Sequence, residues 1–325
     1  MATVLAIGNA LVDILVRLPD DGVLQKFHLA KGSMQLVDLA ASDTILKYTA
    51  HLERYQQSGG SAANTIHGLA KLGISTTYIG KTGNDQLGDF FRNDMKENTI
   101  SPQLLFSQTP TGRAVALVSP DSERTFATYL GAAVELNDID LKPETFRNHQ
   151  YFHVEGYLVQ NHALLEKALR IAKENHLTIS LDMASYNVVE SNRDFLHEMI
   201  AQYVDIVFAN EDEARAFTTK EPAEAAEIIG NLCDISVVKL GGNGSLIVHK
   251  NSICKAEAIK VKPIDTTGAG DLYAAGFIYG LTRDWPLADC ARAGAILGGN
   301  VIEVMGAKMD EQRWKQVIRD VQDIR

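Results

Sequence analysis

The sequence predicts an α/β fold: a mainly parallel sheet with helices on both faces, plus a small inserted β-lid. Three observations predict it. After residue 145, apolar runs of strand length alternate regularly with helical stretches, a pattern that buries each strand on both sides. Two stretches, about 14–37 and 108–130, interrupt that alternation with short strand-like pieces. The composition, 46% hydrophobic and 22% charged over 325 residues, is that of a globular protein with one large or two ordinary domains.

The elements follow in order. Residues 4–7 are apolar and stop at Gly8-Asn9, which reads as a buried strand. Residues 14–18 and 33–37 read as short strands, and 40–55 as a helix ending in Ser58-Gly59-Gly60-Ser61-Ala62-Ala63-Asn64. A helix over 65–72 is stopped by Gly73 as its C-cap, and 76–80 is a strand. Residues 114–118 and 124–130 form a hairpin turned by Ser119-Pro120-Asp121-Ser122. Strands then fall at 151–154, 178–181, 206–209 and 236–240, and helices near 162–175, 192–203, 211–217 and 222–231. The expected core is 1–13, 38–107 and 131–325, and the expected lid 14–37 and 108–130.

Charge and cysteine usage narrow the function classes. With 31 basic and 41 acidic residues the net charge is −10, which opposes a nucleic-acid partner. Cys233, Cys254 and Cys290 have no Cys-x-x-Cys spacing, so neither a disulfide framework nor a zinc finger is expected. The apolar stretch at the N-terminus is broken by Asn9, Asp13 and Arg17, so it reads as neither a signal peptide nor a membrane span. The expectation is a cytoplasmic protein without a membrane partner.

The sharpest chemical signal is Ile264-Asp265-Thr266-Thr267-Gly268-Ala269-Gly270-Asp271. The alternating Ile259 and Val261 read as a strand leading into it, and the apolar run 272–281 as a helix leading out. Small residues at 268–270 let backbone N–H groups converge at a helix N-terminus, which is an anion site. Asp271, in the first turn beside that site, suits a base that takes a hydroxyl proton while the amides stabilise a transferring phosphoryl group. A tight turn with an N-terminal helix acid is the bland alternative.

Other motifs are missing. Position 273 is Tyr, so there is no Gly-x-Gly-x-x-Gly, which opposes a dinucleotide-dependent oxidoreductase. There is no Gly-x-x-x-x-Gly-Lys-[Ser/Thr] loop and no protein-kinase motif set. Gly59-Gly60-Ser61-Ala62-Ala63 is a poor serine elbow, because its last position is Ala63.

Four motifs in order, Gly59-Gly60-Ser61-Ala62-Ala63-Asn64 with 80–88, Asn210-Glu211-Asp212-Glu213, Leu240-Gly241-Gly242-Asn243-Gly244 and Asp265–Asp271, carry a resemblance to a known family. The chain resembles the ribokinase-like PfkB carbohydrate and nucleoside kinases over nearly its whole length. That resemblance implies a ribokinase-like three-layer fold and ATP-dependent phosphotransfer to an alcohol group. Asp271 is then similar to the catalytic base, and Gly268, Ala269 and Gly270 to its anion hole. Asn9, Asp13, Gly59, Gly60 and Asn64 match acceptor-binding positions. Asn210 and Glu213 match the motif that holds magnesium-bound waters. Lys239, Gly241, Gly244 and Asn300 fall where the nucleotide sits, with Lys239 in place of a frequent hydroxyl residue. Asp265 and carbonyls near 302–307 resemble a monovalent-cation (K+) site.

For the acceptor, Ser61 stands where ribokinases usually carry Lys, and the opening 8–13 and the stretch 123–133 look more like the adenosine kinase branch. Arg124 and Phe126 are candidate acceptor contacts there, Phe126 or Tyr129 by stacking on a base. A nucleoside is favoured over a free sugar. The other class of reading, a non-catalytic binding protein on this scaffold, is opposed by the intact Asp271 loop. The expected assembly is a monomer or a lid-mediated homodimer.

Overall fold

Residue alternation along the strands decides the layering. In the computed structural model, which describes residues 3–121, 123–250 and 252–325, strand β1 (Thr3–Ile7) turns Val4 and Ala6 to one core and Leu5 and Ile7 to the other. A strand apolar on both faces must be covered twice. Helices including Ser61–Lys71, Gln86–Glu97, Ala269–Leu281 and Leu287–Val301 cover the first side. His162–Glu174, Arg193–Tyr203, Glu211–Thr218 and Pro222–Gly230 cover the second. This is the three-layer arrangement expected.

The strands after β1 are β2 (Leu11–Arg17), β3 (Met34–Leu36), β4 (Arg54–Gly59), β5 (Ser75–Gly83), β6 (Ile100–Ser107), β7 (Gly112–Val118) and β8 (Arg124–Tyr129). Then come β9 (Tyr151–Glu155), β10 (Thr178–Asp182), β11 (Ile206–Asn210), β12 (Ile235–Lys239), β13 (Ser245–His249) and β14 (Ser252–Ala256). Nine form one sheet in the order β14-β13-β12-β11-β10-β9-β1-β5-β6, parallel except at β13 and β14. Five form a second sheet in the order β3-β8-β7-β2-β4.

Several local expectations need correction. The helix read to residue 55 ends at Tyr48, and Arg54–Gly59 is a strand of the small sheet. That strand pairs antiparallel with β2, setting Asp13 opposite Gln57. Its polar text, Arg54-Tyr55-Gln56-Gln57, belongs to an edge strand, which the apolar-run criterion misses. β2 starts at Leu11 rather than residue 14 and so carries Asp13 within the small sheet. The helix expected from residue 65 starts at Ser61, with Gly60 as its N-cap at φ 97°, so Asn64 lies inside the helix and is not its cap. Residues 257–263 form no strand, so the alternation of Ile259 and Val261 belongs to an extended segment. The helix Gln86–Glu97 and the strands β6, β13 and β14 were not anticipated. The hairpin of β7 and β8 is present, although Ser122 of its expected turn lies outside the described residues.

One close approach fixes two core helices against each other. Helices Ala269–Leu281 and Leu287–Val301 pack so tightly that a Cβ on Gly276 would lie 2.4 Å from the carbonyl oxygen of Ala293. No helix among the described residues is long and apolar enough to cross a membrane. All three cysteines are free.

Candidate active site

Strands β9 to β12 run parallel and end side by side at Glu155, Asp182, Asn210 and Lys239. Ligands of open α/β sheets bind at such carboxyl ends. A cleft of about 1550 Å³ opens there, lined by Asp182, Asn210, Glu213, Lys239, the loop 241–244 and the start of helix Ala269–Leu281. Asp13, Gly60, Ser61, Asn64 and Phe126 close its other end.

The loop before that helix is built by Asp265. The N–H groups of Ile264 and Asp265 donate to Ile302 O at 2.7 and 3.1 Å. The Asp265 carboxylate accepts from the Thr267 N–H and hydroxyl at 3.1 and 2.8 Å and from the Gly306 N–H at 2.7 Å. Gly268 then takes φ 76°, a region open to glycine, and caps the helix. The Ala269 N–H is turned onto Thr266 O at 3.2 Å. The N–H groups of Gly268, Gly270 and Asp271 have no partner among the described residues. The donors left for an anion are therefore those three, with Asp271 in place of Ala269 in the expected set.

Asp271 meets the cleft at the head of the helix. Its carboxylate accepts from Ser61 Oγ at 2.8 Å and Asn64 Nδ2 at 2.9 Å, and its carbonyl accepts from Thr65 Oγ1 at 3.1 Å. Helix Ser61–Lys71 thus orients both carboxylate oxygens. Burial, followed by the charge of Asp182, pushes the Asp271 carboxyl up to about 6. An acid so tuned is mostly ionised at neutral pH yet more basic than an ordinary carboxylate.

The Asp13 end of the cleft is held by glycines where side chains would collide. A Cβ on Gly59 would lie 2.2 Å from the Asp13 carboxylate, and one on Gly60 2.3 Å from Asn9 O. Burial pushes the Asp13 carboxyl up to about 6, opposed by a long 3.5 Å hydrogen bond from Gln57 Nε2. Asn9 does not reach the cleft; its Nδ2 donates to Glu155 Oε1 at 2.7 Å. Glu155 also accepts from the Ala62 N–H at 3.2 Å, so one buried carboxylate ties the segment after β1 to the start of helix Ser61–Lys71. Burial pushes Glu155 up to about 7.

On the other side, Asn210 and Glu213 form a reciprocal cap. Asn210 Oδ1 accepts from the Glu213 N–H at 2.8 Å, while the Asn210 N–H and Nδ2 donate to the Glu213 carboxylate at 2.8 and 2.7 Å. Burial and the nearby Asp182 push Glu213 up to about 7. With each Glu213 oxygen already accepting once, the pair suits a magnesium ion held through water rather than direct coordination. No group of three His, Cys, Asp or Glu side chains is arranged to hold a metal ion directly among the described residues. Lys239 Nζ pairs with Asp182 at 2.9 Å and lies 2.9 Å from where a Gly270 Cβ would be, so its ammonium sits on the anion loop. Gly241 adopts φ 52° facing open space, whereas a Cβ on Gly244 would lie 1.9 Å from Ala256 O. Gly241 is therefore free for a ligand, while the β12–β13 hairpin itself requires Gly244.

Of the expected residues, Asn9, Gly59, Arg124, Asp265, Gly268 and Asn300 do not line the cleft. Asn300 donates back to Ile296 O at 2.9 Å within its own helix, and Gly298, Gly299 and Ile302 line the cleft there instead. Arg124 is buried behind the wall in an ion pair with Asp265. Sequence reasoning missed Glu155, Tyr157, Asp182 and the role of Ser61. A signal existed for Glu155 and Asp182, since an acid ending an apolar strand run is out of pattern.

The chain belongs to the pfkB family of carbohydrate kinases, whose model matches residues 36–313. It is a phosphotransferase acting on an alcohol group, of the sugar and nucleoside kinase kind. A 5-dehydro-2-deoxygluconokinase of Listeria monocytogenes is 27% identical over 299 residues, covering 86% of this chain and 90% of that protein. Among solved structures, a probable sugar kinase from Rhizobium etli superposes with a TM-score of 0.88 at 32% identity, over 98% of each chain. Adenosine kinase from Sinorhizobium meliloti does so with a TM-score of 0.87 at 34% identity, over 98% of this chain and 99% of that one. The family resemblance and the three-layer α/β fold read from the sequence are both borne out.

Proposed function

We propose that this kinase moves the γ-phosphoryl group of ATP to a hydroxyl of a nucleoside, adenosine-like in kind, with Asp271 as general base. The observation that carries the reading is the Asp271 carboxylate, held by Ser61 and Asn64 between the Asp13 end of the cleft and the unpartnered N–H groups of the helix start. An acceptor hydroxyl at that point gives its proton to Asp271 as the bond to phosphorus forms. The N–H groups of Gly268, Gly270 and Asp271, with the Lys239 ammonium, neutralise the transferring group. ATP lies along Lys239 and the 241–244 loop. Glu213 and Asn210 would hold magnesium through water, and the ion would supply charge neutralisation to the ATP phosphates. The small sheet serves as a lid that keeps water from competing with the acceptor.

A nucleoside is favoured because Phe126 and Tyr157 both line the cleft and offer rings for a base, and because the Sinorhizobium meliloti relative is named an adenosine kinase. The curated relatives named as 5-dehydro-2-deoxygluconokinases support a sugar-type acceptor as the second reading. Measuring ADP release with a panel of nucleosides and sugars decides between them. Adenosine-dependent turnover with a micromolar KM supports the first reading; turnover only with sugars or sugar acids replaces it with the second.

Glu213→Gln is expected to raise the magnesium concentration needed for half-maximal rate several-fold while leaving the acceptor KM within about twofold. A magnesium titration of initial rates checks this. An unchanged magnesium requirement removes Glu213 from the metal's surroundings.

A further inference from the structure

The family's monovalent-cation site does not fit this chain. Such an ion needs oxygen lone pairs at Asp265 and at carbonyls near 302–307. Asp265 Oδ1 already accepts twice from Thr267, at 3.1 and 2.8 Å. Oδ2 accepts from the Gly306 N–H at 2.7 Å and faces Arg124 Nη1 at 2.8 Å. Ile302 O accepts from two N–H groups, at 2.7 and 3.1 Å. Both Asp265 carboxylate oxygens and Ile302 O are engaged by protein donors, and a positive charge already stands against the carboxylate.

That positive charge is buried in an unusual way. The side chains of Arg124 and Asp265 are 6% and 5% exposed, and they join the small sheet to the core: Arg124 lies on β8, Asp265 on the loop that carries Gly268. Arg124 also points Nη1 at Thr267 Oγ1, 3.4 Å away, and Nη2 at the Met305 sulfur, 3.7 Å away. A buried carboxylate without a cation is strongly unfavourable. Here it also holds the Thr267 and Gly306 N–H groups that fix the turn into the anion loop.

We infer that Arg124 is the built-in cation of the anion loop, taking the place of a monovalent metal ion, so that this enzyme works without potassium. The guanidinium is planar and permanently charged, and it can hold the carboxylate edge that a spherical ion would otherwise contact. Because Arg124 belongs to the small sheet, the charge that orders the loop arrives only when that sheet is seated on the core.

The activity part of the test rests on the kinase reading above; the melting part does not. Melting temperature and turnover of the wild type are compared in potassium chloride and in choline chloride at equal ionic strength. Equal melting and rates within about twofold are expected; a potassium-specific rise in either overturns the inference. Arg124→Ala leaves Asp265 uncompensated, and it is expected to melt lower in choline and to recover specifically in potassium. Arg124→Lys retains a cation and is expected to remain potassium-indifferent. An alanine variant as stable as the wild type in choline, or a lysine variant that needs potassium, contradicts the assignment. If Arg124→Ala does not fold, the wild type and Arg124→Lys still decide. Absence of ADP release from every acceptor in both salts rejects the kinase reading and leaves the melting result standing.

Discussion

Asp271→Asn lowers kcat by at least ~10²-fold, the usual range for a lost general base being ~10²–10⁴. The reason is local. Asp271 is the carboxylate that meets the cleft at the head of helix Ala269–Leu281, and an amide cannot take the acceptor's proton. The substitution spares the neighbouring N–H groups and the cap at Gly268, so the ATP dissociation constant stays within a few-fold. Stability moves the other way. The folded protein holds this carboxyl at about 6, above its usual 3.8, so the neutral form is favoured by the fold and the stabilisation is lost as pH rises through about 6. Above that pH the asparagine variant should melt no lower than the wild type. The same value sets the rate profile: the base must be ionised, so kcat/KM of the wild type falls as pH drops below about 6. Rate against pH, single-turnover kinetics and a melting scan check all three. Wild-type turnover by Asp271→Asn with any phosphorylated acceptor refutes the assignment.

Asp13→Ala raises the acceptor KM by ~10–100-fold, the cost of losing one charged hydrogen-bonding group of ~1.5–3 kcal/mol, and leaves the ATP KM nearly unchanged. Asp13 lines the cleft from β2, at the end proposed for the acceptor, and Gln57 is its one side-chain hydrogen-bond donor among the described residues, through a 3.5 Å contact. A buried carboxylate so weakly satisfied is suited to accept from ligand hydroxyls. Gly59 is bare so that this carboxylate can lie against the backbone. Steady-state kinetics with each substrate varied in turn separates the two constants. A rise confined to the ATP KM would move Asp13 out of the acceptor site.

Much of this was legible in the sequence because it is written in short-range chemistry. The strand runs at 151–154, 178–181 and 206–209 each lie within the strand observed there, since each is a short run dominated by aromatic, β-branched and aliphatic residues that favour a strand. The Gly-Ala-Gly turn and Asp271 were legible because a left-handed glycine, a helix start and a first-turn acid are all local features. The polar edge strand Arg54–Gly59 was not, because its place is secured by pairing with β2, more than thirty residues earlier in the chain.

By itself, then, the sequence determined the layered α/β fold and the kinase family and singled out Asp271 as the candidate base, each through residues close together in the chain. Only the tertiary structure decided what those residues face. Ser61 and Asn64 orient an acid more than 200 positions away, Lys239 on β12 finds Asp182 on β10 across the intervening β11, and Asn9 turns from the cleft to Glu155. Arg124, an acceptor contact by motif, becomes the counter-ion of Asp265 because the small sheet folds onto the anion loop. Such partners are chosen by the high cost of leaving a buried charge unpaired. That cost exists only once the chain has packed, so no stretch of sequence read alone can show where it will be met.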